Sequence, residues 1–501
     1  MDEAILESPL HSFTHSLSHG PSGVMSGMNV APGADEAGGF AAAIGELAAA
    51  VAAIDSHQQL QSDLLLNIAG AVQQLGDGLA AAKRGAHDTT SIDAVIARLE
   101  RLEDTLQWSA RTASRTGVGA PIRVLFLIHH ATAWPAVRDI VDEMRQAADF
   151  EPVIMSLPHR FPVLNRLGGE DEVHAMLEAQ GYAHIRLRDD DAANALDYVK
   201  QLAPAVIFRQ APWDADLPAT LSSRHLGFAR LCYVPYGYMT ARIEKQQFDQ
   251  QYHRQCWRLF CPDEAHRALY AAHNALGDIN CRVTGYPKFD HLARQVDQPG
   301  HWPIAGGKPG AFRLIWAPHF SSDNDPLKFG VFNRIAGDML SLASRDASLQ
   351  IVLRPHPALR EAMAGARPDS ALGRFLSTWQ SLPNTRFDND AEYAGLFAAS
   401  HALLTDGISF FSEYQLFDKP LVYFERADSI GFNAAGERLK DGMYCVRDMA
   451  DWLLRLQALR AGVEDAPVVA ARRRIAAELQ PYPGAAARQI VEVIRREIGA
   501  A

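Results

Sequence analysis

The sequence predicts an α/β protein of two Rossmann-like lobes preceded by an N-terminal helical coiled-coil arm. Three observations carry this. From residue 121 onward, short apolar runs of strand length alternate with amphipathic helix-like segments, the rhythm of a parallel, doubly wound sheet. The rhythm breaks at 297–310, where Pro299-Gly300, Pro303, Gly306-Gly307 and Pro309-Gly310 crowd together, and then restarts. Ahead of both halves, apolar residues recur every seven positions, the seam that makes helices pair.

Residues 1–40, rich in Gly, Ser, Pro and His, bury too little apolar surface to offset their ordering entropy and read as a disordered tail. The helical region spans 41–118. Ile44, Val51, Leu65, Val72 and Leu79 share one heptad position; Leu47, Ile54, Ile68 and Leu75 share the other. Gln58 and Gln61 interrupt both seams, and Ile92, Val95, Leu99, Leu102 and Leu106 form a second stretch. An oligomerising arm and a hairpin folded back on the body both fit this pattern.

The first lobe, 119–298, opens with the buried-strand run Ile122-Arg123-Val124-Leu125-Phe126-Leu127-Ile128. Strands follow at 152–157, 205–209, 230–234, 259–261 and 282–285, with helices between. The second lobe, 299–501, takes strands at 312–317, 349–353, 385–387, 402–404 and 421–423. Its last helix, about 468–498, is expected to pack back on the first lobe. Arg472-Arg473-Arg474 and Arg495-Arg496 read as a solvated face or as a contact for an anionic membrane.

With 501 residues, 48% hydrophobic and 21% charged, the chain is neither disordered throughout nor fibrous. No apolar run reaches the ~18 residues that span a bilayer. The net charge is −11, and nine acids precede the first basic residue, Lys83. The near-neutral remainder argues against nucleic acid as a partner. An N-terminus without a signal-peptide pattern gives a cytoplasmic expectation. Five cysteines without a CxxC pair argue against a disulfide framework or a zinc knuckle.

No P-loop, GxGxxG, HExxH or GxSxG motif is present. Polar motifs instead fall at strand ends. In Leu353-Arg354-Pro355-His356-Pro357, two prolines hold a cation and an imidazole after a strand, which suits a diphosphate. In Thr405-Asp406-Gly407-Ile408-Ser409-Phe410-Phe411-Ser412-Glu413, a strand ends, Gly407 permits a turn, and a helix start offers N–H groups and hydroxyls to phosphate. Glu413 can accept from ribose hydroxyls. Read without a ligand, the same segment is an ordinary capped helix. Three further junctions are Gly285-Tyr286-Pro287-Lys288-Phe289-Asp290, Trp316-Ala317-Pro318-His319-Phe320-Ser321 and His129-His130-Ala131-Thr132-Ala133-Trp134.

The order GYPKFD, WAPHFS, RPHP and TDGISFFSEY, followed by Asp418-Lys419-Pro420, resembles the CDP-glycerol glycerophosphotransferase family of teichoic-acid and capsule synthesis. The resemblance implies a glycosyltransferase-B-like fold without a catalytic metal or cofactor. It implies glycerol phosphate transfer from a CDP-linked donor to a hydroxyl of a polymer or lipid-linked acceptor. The donor-binding residues would be Arg354, His319, Thr405, Asp406, Ser409, Ser412 and Glu413, with His356 catalytic. The family's first-lobe histidine is missing from Tyr233-Val234-Pro235-Tyr236-Gly237-Tyr238-Met239, so His129 or His130 becomes the candidate base. A nucleotide-sugar glycosyltransferase or epimerase of the same fold is the alternative, and a non-catalytic coiled-coil assembly protein a third reading. Peripheral contact with the inner membrane face and homo-oligomerisation through the heptads complete the expectations.

Overall fold

The computed structural model describes residues 121–161, 166–305, 308, 310–390 and 392–499. The expected tail at 1–40 and the coiled-coil region at 41–118 lie outside the described residues.

In the first lobe, β1 (Ile122–Ile128), β2 (Phe150–Ser156), β5 (Ile185–Arg186), β6 (Val206–Arg209), β7 (Arg230–Tyr233), β8 (Arg258–Cys261) and β9 (Cys281–Val283) form one sheet. Its order is β5-β2-β1-β6-β7-β8-β9, with every pairing parallel. A small antiparallel hairpin, β3 (His159–Phe161) with β4 (Arg166–Gly168), follows β2. The second lobe contains β10 (Phe312–Ala317), β11 (Leu349–Leu353), β12 (Thr385–Phe387), β13 (Ala402–Thr405), β14 (Leu421–Phe424) and β15 (Tyr444–Val446). They are arranged β12-β11-β10-β13-β14-β15, again all parallel. The strand order thus reverses beside β1 in one lobe and beside β10 in the other. Such switch points open a crevice at the carboxyl ends of the strands.

Helices on both faces explain why these strands are apolar throughout. The period of two along a strand sorts β10 cleanly. Leu314 and Trp316 join the core under the helices Phe332–Arg345, Ala371–Ser381 and Met449–Arg460. Ile315 and Ala317 face the other core, which runs on into the first lobe. Sequence reasoning missed β3, β4, β5 and β15, each of two or three residues and most carrying charge, too short for a periodic signal.

The lobes touch through named contacts. Asn433 caps the helix Ala434–Lys440 and donates from Nδ2 to the Met239 carbonyl at 3.0 Å, while its own N–H donates to the Thr240 carbonyl at 2.9 Å. A Cβ on Gly436 would stand 2.6 Å from that Thr240 oxygen, so the close approach requires glycine. The last helix, Ala486–Gly499, places Ile490, Val491, Ile494 and Ile498 in the shared core and pairs Glu497 with Arg258 at 2.5 Å.

The triple-arginine segment is not a free basic face. Arg472 is buried and paired with Asp418 and Glu464 at 3.1 and 2.9 Å. Arg473 pairs with Asp418 and Arg474 with Asp441. Acids already answer each cation, which leaves less charge for a membrane than the bare sequence suggests. Among the described residues no helix is long and apolar enough to cross a membrane. All five cysteines are free thiols, four of them buried.

Candidate functional site

At the switch point of the second lobe, the residues after β10, β11 and β13 converge. Asp406, the first residue after β13, is buried. Its carboxylate accepts the His319 N–H at 2.6 Å and the Val331 N–H at 2.5 Å. Burial pushes this carboxyl up to about 7, against the pull of those two N–H groups. His319 follows β10. Its Nδ1 accepts the Ser321 N–H at 3.1 Å and lies 2.8 Å from the Ser321 hydroxyl oxygen. That oxygen in turn accepts the N–H groups of Phe329 and Gly330. His356 follows β11 and caps the helix Pro357–Ala364, its Nδ1 accepting the Ala358 N–H at 3.2 Å.

The two imidazoles are therefore alike. An Nδ1 that accepts a backbone N–H bears no proton, so each neutral ring carries its proton on Nε2. Burial lowers His319 well below the usual histidine range, with His356 adding to the effect, and burial lowers His356 to about 4. Both are neutral Nε2–H donors at pH 7, with ring centroids 5.2 Å apart.

A second group spans the lobes. Lys288, from the GYPK turn of the first lobe, donates to Glu413 Oε1 at 2.6 Å, and Tyr393 donates to Glu413 Oε2. Burial opposes the Lys288 charge, but Glu413 prevails and raises its pKa. The Arg354 guanidinium lies 4.6 Å over the Tyr393 ring, pairs with Asp388 and donates to the Asp390 carbonyl at 2.7 Å.

At the switch point of the first lobe, Gln210 follows β6 as Asp406 follows β13. Its Oε1 accepts the N–H groups of His129 and His130 at 2.8 and 2.9 Å, and its Nε2 donates to the His130 carbonyl at 3.0 Å. Each lobe thus uses a polar side chain after its fourth main strand to tie down the loop after its first. His129 is fully buried. The His129 and His130 rings lie 4.6 Å apart, and the His159 ring lies 4.2 Å from His130. Asp216 completes the cluster. Burial, and then His159, lower His130 to about 3; burial raises Asp216 to about 6. So basic-poor an imidazole accepts a proton weakly.

The structure brings His319, His356 and Asp406 together. Arg354 and Glu413 sit in the interlobe network, already partnered. The Thr405 hydroxyl donates to the Ala317 carbonyl and accepts the Gly407 N–H, which holds the loop. Ser409 is exposed in a turn, and Ser412 and Glu413 are buried in a helix of only five residues, Phe411–Gln415. His129 and His130 occupy the other lobe. From these two residues the chain turns at once into a 3-10 helix, Ala131–Ala136. Sequence reasoning missed Gln210, Asp216, His159 and Tyr393, and it named Ser321 only as part of the junction after β10, without a role. Overlaying the two halves on their strand order could have found Gln210, because it holds the position of Asp406.

The sequence matches no protein-family model and no curated protein. Solved structures do match. The S. aureus MnaA–UDP co-structure aligns over 76% of this chain and 97% of its own, at 14% identity and TM-score 0.53. The UDP-GlcNAc 2-epimerase from Neisseria meningitidis, bound to UDP-GlcNAc, aligns over 74% and 99%, at 14% identity and TM-score 0.52. The wall teichoic acid polymerase TagF aligns over 86% and 98%, at 13% identity and TM-score 0.49. The first two likenesses show a two-lobed, glycosyltransferase-B-like fold.

Proposed function

We propose that this chain is an enzyme acting on a nucleoside-diphosphate-linked donor, with a nucleotide sugar as the donor class. The observation that carries this is the pair of imidazoles, His319 and His356, each held by a backbone N–H on Nδ1 so that Nε2–H serves as a donor. Fixed neutral donors at a strand-end switch point suit the oxygens of a leaving diphosphate, where they act in a water-poor site. Ser409 adds a hydroxyl. Glu413, with two of its acceptor positions taken by Lys288 and Tyr393, keeps others for a ribose. The first-lobe cluster around His130 lies on the acceptor side. The fold shared with the UDP-bound and UDP-GlcNAc-bound structures supports this reading.

A second reading is glycerol phosphate transfer from CDP-glycerol to a polymer or lipid-linked acceptor. The order of GYPKFD, WAPHFS, RPHP and TDGISFFSEY favours it. Work at the inner membrane face as a homo-oligomer belongs to the same proposal. Incubating the purified full chain separately with UDP-sugars, GDP-sugars and CDP-glycerol, and following products by mass spectrometry, separates the readings. Conversion or transfer of a nucleotide sugar supports the first, and consumption of CDP-glycerol alone supports the second. A chain that binds and turns over none of them is the non-catalytic assembly protein.

A further inference from the structure

We propose that His129, His130 and Asp216 form a binding site for a divalent transition-metal ion of the zinc class at the first-lobe switch point. One ligand atom from each of the three lies within 4.8 Å of the others. Zinc bonds of about 2.0–2.1 Å place neighbouring ligand atoms some 3.3 Å apart, so modest side-chain rotation closes the set. Two imidazoles and one carboxylate are the donor set of ions that retain open coordination positions.

A second observation is independent of this spacing. His129 is fully buried, and among the described residues neither of its ring nitrogens has a hydrogen-bond partner. A buried polar side chain with two unmet nitrogens is costly. An ion on one nitrogen removes half of that deficit. The backbone is already fixed for it, since Gln210 holds both histidine N–H groups.

The local charge also permits a cation. Arg209 is the nearby positive group, but it donates to Asp214 at 2.6 Å and lies 4.2 Å over the Tyr252 ring. Asp214 answers that charge, which leaves the Asp216 carboxylate for the ion. His159 stands behind the set, its Nδ1 3.1 Å from the His129 carbonyl oxygen, to which it donates. His130 and Asp216 are only half-buried, so the open positions face the crevice at the carboxyl end of the sheet. An ion there would bind an oxygen ligand from the acceptor side. The proposal stands on these residues alone and does not need the donor reading above.

The test uses full-length protein stripped with a chelator and titrated with Co²⁺, followed by visible absorption, and with Zn²⁺, followed by calorimetry. The expected result is one ion per chain, a visible cobalt band, and a melting temperature raised by Zn²⁺. His129→Gln, His130→Gln and Asp216→Asn should each weaken binding tenfold or more, while His273→Gln, at the exposed end of the helix Glu264–His273, leaves it unchanged. If His129→Gln fails to fold, the half-buried positions 130 and 216 decide the matter. Absence of stoichiometric binding overturns the proposal, as does binding that survives both His130→Gln and Asp216→Asn.

Discussion

Replacing Glu413 by Gln removes a charge without changing shape, at a point where the two lobes meet. In the wild-type protein the Lys288 side chain is 10% exposed and the Glu413 side chain 3%, with Nζ and Oε1 2.6 Å apart. Removing one member of a buried ion pair costs about 3–5 kcal/mol, because the remaining charge stays desolvated without its partner. Glu413→Gln keeps an oxygen that can accept from Tyr393 or Lys288 but not the charge, which places the expected loss near the lower end, about 3 kcal/mol. Lys288→Met removes the cation and should cost a similar amount. The double variant leaves no orphaned charge, so its loss should fall below the sum of the single losses by at least about 1.5 kcal/mol. Urea unfolding followed by tryptophan fluorescence measures all four proteins. Single losses under about 1 kcal/mol, or losses that simply add, would reduce the contact to a solvated pair.

Four more outcomes follow from the same geometry. His356→Asn keeps an acceptor that caps the helix Pro357–Ala364 but removes the Nε2–H donor, so turnover should fall by about 10²-fold with the melting temperature little changed; an unchanged rate removes His356 from the site. Gln210→Leu strands the N–H groups of His129 and His130 and should cost about 2–4 kcal/mol in denaturant unfolding, whereas a loss within 0.5 kcal/mol would show that water replaces them. His130, His253 and His356 are lowered to about 3, 3 and 4, chiefly by burial, so the folded state binds fewer protons than the unfolded state below pH 6.5. Stability should then drop as pH falls from 6.5 towards 4, by about 1.4 kcal/mol per pH unit for each histidine, while Asp406, raised to about 7, pulls the other way between about pH 4 and 7; a flat urea midpoint across that window contradicts these shifts. A chain beginning at residue 119 should show fewer subunits by light scattering than the full chain if the heptads oligomerise, and an unchanged count assigns them another role.

What was legible in the sequence had a periodic or punctuated signature. The run from Ile122 to Ile128 announced β1, and the Gly/Pro crowding at 297–310 announced the second lobe. His319, His356 and Asp406 stood out because each follows a strand at a proline or glycine turn. The partners of these residues were not legible. That Arg354 is taken by Asp388, Thr405 by the Ala317 carbonyl and Lys288 by Glu413 depends on contacts between segments far apart in the chain. A motif tells which groups are available; only packing decides which remain free. The first-lobe cluster was half visible for the same reason. His129-His130 is adjacent in sequence, but Asp216 arrives from the 3-10 helix Asp214–Asp216 and His159 from β3, and neither carries a local mark.

The proposed function requires the second-lobe crevice to hold a nucleoside diphosphate through the neutral Nε2–H donors of His319 and His356. Calorimetric titration of the full chain with UDP, CDP and GDP, and with the corresponding unphosphorylated nucleosides, tests it most directly. The expected result is one site per chain for at least one diphosphate, no measurable binding of its nucleoside, and an affinity at least tenfold weaker in His356→Asn. Equal binding of nucleoside and diphosphate, or no binding of any diphosphate, would contradict it.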